Sequence, residues 1–319
     1  MNDKTSLMRS LVDELNQASY AYYNGKGEQM TDFEWDAKFD QLKKLEEETG
    51  EILPDSPTQK VSEDNLSGGQ KEEHEFAALS LAKTKQVSDL VKWAEDRPIW
   101  ISWKLDGLTL VVTYDNGKLT KIVTRGNGHI GTNISYLAGA INGIPMQIKE
   151  KGHLVVRGEA VISYADFEQF IIESEGDYAN PRNLASGSLA LHDSNEVKQR
   201  HIQWIPFTLV YTERDITSWG ERMQTLQDLG FNPVERERID QPTTENIQAE
   251  IDKFTEKVTS KSNPFPVDGL VICYDDTVYA ATGSVTGHHA TRAGFAFKWQ
   301  DEHADTELDH IEWSCAANT

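Results

Sequence analysis

The chain predicts an α+β fold in which a small helical unit precedes a larger unit built on antiparallel sheets. Three observations carry this. Apolar residues recur at helical spacing over the first fifty residues. After a polar stretch near residue 70 the apolar period changes to two. From there on, strand and helix patterns do not alternate in the regular order that a doubly wound parallel sheet requires.

The first helix is read from Leu7, Leu11, Leu15, Ala18 and Tyr22, whose spacings of three and four place them on one face. Thr31-Asp32-Phe33-Glu34 is a capping-box pattern, with the threonine as N-cap and the glutamate reaching back. Trp35, Phe39, Leu42 and Leu45 follow on one stripe, and Gly50 is a natural stop. Pro54-Asp55-Ser56-Pro57 closes the helical region. Ser62 to Glu75 is polar and contains Gly68-Gly69. The expected division is a helical unit over 1–66, a linker over 67–77 and a larger unit over 78–310.

In the larger unit Leu108–Tyr114 and Leu119–Thr124 flank Asn116-Gly117. That dipeptide favours the positive φ angles of a type I′ turn, so a β-hairpin is predicted. Further strands are expected at Leu154–Ile162, Ile202–Tyr211, Gly269–Tyr274 and Phe295–Trp299. Helices are expected at Asp166–Glu175, Glu221–Leu229 and Glu245–Val258.

Composition narrows the function classes. Of 319 residues, 38% are hydrophobic and 26% charged, which suits a globular protein. No run approaches the twenty apolar residues of a membrane span, and Met1-Asn2-Asp3-Lys4-Thr5 has no apolar signal core. Cys273 and Cys315 are the only cysteines and no C-x-x-C occurs, which argues against a disulfide framework or a cysteine zinc site. The expected compartment is the cytoplasm, with no resident metal ligands. A net charge of −21 repels phosphate backbones, so any contact with nucleic acid needs a local basic patch or a part of the protein outside this sequence.

The chemistry concentrates at Lys104-Leu105-Asp106-Gly107, between two runs rich in β-branched residues. A strand-end lysine beside an aspartate and a glycine can act as a nucleophile on phosphorus. A free lysine is almost wholly protonated at pH 7, so the site must lower its pKa or remove the proton, and a second cation nearby would help. Further segments carry groups of the kind such chemistry needs. They are Thr124-Arg125-Gly126-Asn127-Gly128, Val156-Arg157-Gly158-Glu159, Ala179-Asn180-Pro181-Arg182-Asn183, Val267-Asp268-Gly269 and Ala296-Phe297-Lys298.

With Thr31 to Asp36 and Pro54 to Gln59, these segments in this order resemble the bacterial-type NAD-dependent DNA ligases, from about Tyr20 to Trp313. The resemblance implies a helical domain that holds the nicotinamide mononucleotide half of NAD. It also implies a nucleotidyltransferase (adenylation) domain that becomes adenylylated on lysine. Lys104 would then be the nucleophile, Asp106 would orient it or serve a later step, and Lys298 would be the second cation. Tyr22, Tyr23, Asp32, Trp35 and Asp36 match the nicotinamide-binding positions, although core packing also explains Tyr22 and Trp35. Ser80, Leu81, Ser102, Leu105, Gly107, Arg125, Glu159, Phe207, Asp268 and Cys273 match positions around the nucleotide. Glu159 would accept from the ribose hydroxyls and Phe207 would stack on adenine, against an edge-strand charge and a core aromatic as the plain alternatives. Arg182, in a polar loop, would contact nicked double-stranded DNA, the implied partner. Magnesium is expected from the family.

The match also has departures. Ser102 stands where a glutamate is usual, Cys273 and Ala190 where a lysine and an arginine are usual, Asn127 for an aspartate and Tyr23 for a histidine. Ile311-Glu312-Trp313 looks like the opening strand of an OB domain. The expectation is therefore an adenylating piece or subunit. A second subunit would carry the OB, zinc, helix-hairpin-helix and BRCT modules. Two alternatives remain, an ATP- or GTP-dependent nucleotidyltransferase and a catalytically degenerate accessory subunit.

Overall fold

A computed structural model describes residues 3–23, 30–53, 55–58, 70–174, 178–283, 285–286, 289–290 and 292–299. The side chains of Tyr22, Tyr23, Asp32 and Asp36 lie outside the described residues, as do 311–319.

Two helices open the chain, α1 (Asp3–Tyr23) and α2 (Asp32–Thr49). Met8, Leu11, Val12, Leu15 and Leu42 form their small core. The stripe is rotated from the one the spacing predicts. Leu7 is 42% exposed, because Met8 and Val12 take the face between the helices. The capping box forms as read: Glu34 N donates to Thr31 Oγ1 at 3.2 Å and Thr31 N donates to Glu34 Oε2 at 2.9 Å. Gly50 ends α2 in the left-handed region at φ 69°.

The larger unit runs β1 (Lys71–Glu73), β2 (Ala82–Thr84), α3 (Val87–Ala94), β3 (Ile99–Leu105), β4 (Leu108–Asp115), β5 (Lys118–Thr124) and β6 (Ile130–Thr132). After a 3-10 turn at Ser135–Ala140 come β7 (His153–Val161), α4 (Tyr164–Ser174), α5 (Pro181–Leu189), α6 (Ser194–Lys198), β8 (Gln203–Thr212) and α7 (Trp219–Asp228). It closes with β9 (Arg236–Ile239), α8 (Thr244–Thr259), β10 (Val267–Tyr274), α9 (Thr277–Ala281), β11 (Val285–Thr286), β12 (His289–Ala290) and β13 (Phe295–Phe297).

A five-stranded sheet has the order β2-β13-β10-β3-β9 and a four-stranded sheet the order β5-β4-β7-β8. Every pairing in the two is antiparallel except β13 with β2. One core cluster spans both sheets and the helices against them. Asn116 and Gly117 take φ 51° and 78°, the turn that joins β4 to β5. In β3, Ile99, Ile101, Trp103 and Leu105 are buried, and Trp103 meets Phe254 of α8 edge-on at 4.5 Å. Trp100, Ser102 and Lys104 share the opposite face.

Within the stretch expected as a linker, β1 pairs with β6, and the residues after it pack on the four-stranded sheet. His74 N donates to His129 O, Ala78 N to Gly128 O, and Arg157 Nη2 to the Phe76 and Ala77 carbonyls.

Candidate active site

The site forms where the chain crosses from the five-stranded to the four-stranded sheet through Asp106-Gly107, between β3 and β4. The crossing is tight. A Cβ on Gly107 would lie 2.2 Å from Ala160 O, so only glycine passes β7 here. Asp106 lies just past the end of β3, outside the strand that carries Lys104.

Lys104 stands at the end of β3, and the register of its partner strand explains what it meets. Val267 pairs with Leu105 and Gly269 with Lys104, so Asp268 is the extra residue of a β-bulge. A bulge re-aims one side chain out of the alternation. The Asp268 carboxylate thereby accepts from Lys104 Nζ with both oxygens, at 2.6 and 2.7 Å. Lys298, just after β13, has its Nζ 4.0 Å from Asp268 Oδ2. Burial by itself would raise the Asp268 carboxyl, but Lys104, Lys298 and Arg182 override it and hold it below the usual carboxylate range.

Arg182 is not on a polar loop. It occupies the first turn of α5, where Asn180 caps the helix and Pro181 fits the position whose N–H has no partner. Its Nη1 donates to Asp106 Oδ1 at 2.6 Å, and its side chain is 15% exposed. The structure therefore places this residue inside the site, in an ion pair with the lysine motif.

The four-stranded sheet supplies the remaining groups. Glu159 on β7 lies opposite Thr109 on β4 and accepts from its hydroxyl at 2.9 Å. Burial raises its carboxyl to about 7, against the opposing pull of Arg182, Thr109, Arg125 and Lys104. Those pulls mark the neighbourhood, since three candidate cations act on one buried acid. Arg125 follows β5, with its amide bonded to Thr109 O at 2.9 Å. Phe207 on β8 is half-buried and is the extra residue of a second bulge, opposite Arg157 and Gly158.

Ser102 is 3% exposed, with its Oγ 3.5 Å from Val271 O. Cys273 is buried, and burial pushes its thiol far up. It pairs with Trp100, four positions along β10 from Gly269, so roughly 13 Å of strand separates it from the Lys104 level. Leu105 faces the core, and Ser80 and Leu81 are half-buried on the way into β2.

Trp35 in α2 donates through Nε1 to Ser19 Oγ at 3.0 Å and stacks on Phe39 at 4.8 Å. Lys83 Nζ of β2 sits 5.3 Å from the Trp35 ring centre, which sets this aromatic beside the segment leading to Ser80 and Leu81. The other nicotinamide candidates, Tyr22, Tyr23, Asp32 and Asp36, have side chains outside the described residues. A groove of about 350 Å³ along α8, lined by Phe254, Lys257 and Ser260 among others, holds none of the candidate residues. Among the described residues no three His, Cys, Asp or Glu side chains are grouped to hold a metal ion.

Two neighbours of these groups escape sequence reasoning. Thr109 is one strand residue among many until register sets it against Glu159. His74, in the polar stretch, donates through Nε2 to Arg125 O at 2.9 Å.

Residues 70–302 match the family described as NAD-dependent DNA ligase adenylation domain, and residues 1–62 match the family described as DNA ligase-like, N-terminal NAD+-binding domain. A DNA ligase of Lachnoclostridium phytofermentans is 40% identical over 321 residues, 99% of this chain and 48% of the relative. A DNA ligase of Ruminiclostridium cellulolyticum is 39% identical over 320 residues, 98% of this chain and 48% of that one. The chain spans about half the length of these curated relatives. Among solved structures, an archaeal ATP-dependent RNA ligase aligns over 69% of this chain and 47% of its own, with a TM-score of 0.40 and 13% identity.

Proposed function

Because the chain belongs to the NAD-dependent DNA ligase adenylation-domain family, we propose that it transfers AMP from NAD to its own Lys104. The observation that carries this reading is Lys104 gripped by a bulged Asp268, with Lys298 beside it. In the charging step the Lys104 amine attacks the adenylyl phosphorus. A P–N bond forms, the P–O bond of the pyrophosphate breaks, nicotinamide mononucleotide leaves with the bridging oxygen, and the proton lost from the attacking nitrogen passes to solvent.

Asp268 is held well ionised, so it is a weak base, and its contribution is to fix where the amine points. The pair must open for attack, and a phosphate arriving between Lys104 and Lys298 supplies the competing anion that opens it. Lys298 then offsets the charge that grows on the phosphate oxygens. Arg125 and Arg182 present paired donors to the same group, and Asp106 keeps Arg182 in reach. Glu159 has acceptor oxygens for a ribose diol, and Phe207 supplies an aromatic face for the base. The helical unit would hold the nicotinamide half, with Trp35 as its described aromatic. In the whole protein, AMP would pass next to the 5′-phosphate of a nick for sealing. At a net charge of −21, grip on duplex DNA depends on local basic surface or on a partner chain.

Intact-mass measurement after incubation with NAD and, in parallel, ATP tests the reading. NAD should add one AMP mass, and Lys104→Ala should abolish it. Addition from ATP alone would move the chain to the other cofactor class. No addition from either, in a folded protein, would leave it an accessory subunit.

A further inference from the structure

The strand-leading segment 70–78 lies outside the charging machinery, yet it grips the Arg125 loop at several points. His74 Nε2 donates to Arg125 O at 2.9 Å, and the same carbonyl accepts from Gly128 N at 3.0 Å. His74 N donates to His129 O and Ala78 N to Gly128 O, both at 2.7 Å. From inside the loop, Asn127 Oδ1 takes the amides of His129 and Ile130. Gly126 turns at φ 54°, where a Cβ would sit 2.0 Å from Ile130 O. These backbone anchors hold the loop, and the His74 imidazole reaches the Arg125 peptide from outside it.

We propose that His74 is a positioning residue, whose Nε2–H holds the Arg125 carbonyl and thereby fixes the angle at which the guanidinium meets the pyrophosphate. This rests on the reading of Arg125 as a phosphate contact. The chemistry suits the task. Burial holds the ring below the usual histidine range, with Arg157 and His129 also opposing a proton, while the Arg125 and Thr124 carbonyls favour one. The ring that results is neutral, and its one N–H is directed by the carbonyl. A lysine or arginine in its place would bring a full charge beside Arg157. The segment continues through Ser80 to β2, where Lys298 N donates to Thr84 O at 2.9 Å. One backbone run thus braces two of the cations assigned to the phosphate.

A double-mutant cycle on the full 319-residue chain tests this, read as the single-turnover rate of AMP addition from NAD. His74→Phe should slow charging about 10-fold. His74→Gln, whose amide still donates, should stay within about 3-fold of wild type. With Arg125→Ala already present, His74→Phe should cost little more, because the group it positions is gone. Additive losses, or wild-type charging by His74→Phe, would overturn the proposal. Should His74→Phe fail to fold, His74→Asn takes its place, since its shorter amide cannot span to the carbonyl and should behave as a loss. Wild-type protein that takes no AMP from NAD would instead defeat the charging reading itself, so the two failures are distinct.

Discussion

Lys104 and Asp268 form a partly shielded ion pair, with side chains 27% and 22% exposed, in which one carboxylate uses both oxygens on one ammonium. Such a pair is worth more for geometry than for stability, since desolvation offsets much of its Coulomb attraction. Asp268→Ala should therefore lower the charging rate by about 10²-fold, with a much smaller change in denaturation midpoint. Rapid-quench charging assays beside urea titration would separate the two. Glu159 gives a pH prediction. Its folded value of about 7 lies above the unfolded carboxylate value, so its contribution to folding is full in acid and is lost as pH rises through 7. Glu159→Gln removes that titration. Relative to wild type it should gain on the order of 2 kcal/mol between pH 5 and pH 8, read by urea unfolding at both. The lysine motif, Glu159 and Asp268-Gly269 are legible in the sequence because each is a short string with few possible chemistries. Arg182 was misplaced because Asn180-Pro181 reads equally as loop and as the start of a helix.

The hairpin at Asn116-Gly117 and the Thr31 capping box are also legible, since a turn or a cap is set by a few neighbouring residues. Thr31→Ala should cost about 1 kcal/mol of helical-unit stability, seen as a lower midpoint in helical circular dichroism. The bulges at Asp268 and Phe207 are different. Nothing in Val267-Asp268-Gly269 or Pro206-Phe207 announces an extra residue, because a bulge exists only against the partner strand. Gly107 is a similar case, matched in the sequence to a position around the nucleotide but required as glycine by the nearness of Ala160 O. Gly107→Ala should push β3 and β4 off β7, costing about 1–3 kcal/mol in chemical denaturation and most of the charging rate.

The helical unit and the larger unit have separate clusters of buried apolar residues. The smaller one, with five buried side chains among the described residues, contributes little to the larger one's stability. Removing residues 1–69 should leave the rest folded by near-ultraviolet circular dichroism while abolishing charging by NAD, because the nicotinamide half loses its holder. Retained charging by NAD would show that the helices are dispensable for that step. The sequence by itself determined the two-part architecture, the position of the strand-end lysine and the family, because periodicity and short motifs are local properties of the chain. Only the tertiary structure decided that Asp268 takes Lys104, that Asp106 takes Arg182, and that His74 reaches the Arg125 loop. Those pairs lie 164, 76 and 51 residues apart, and strand register and helix docking, not sequence neighbours, bring such groups within hydrogen-bonding distance.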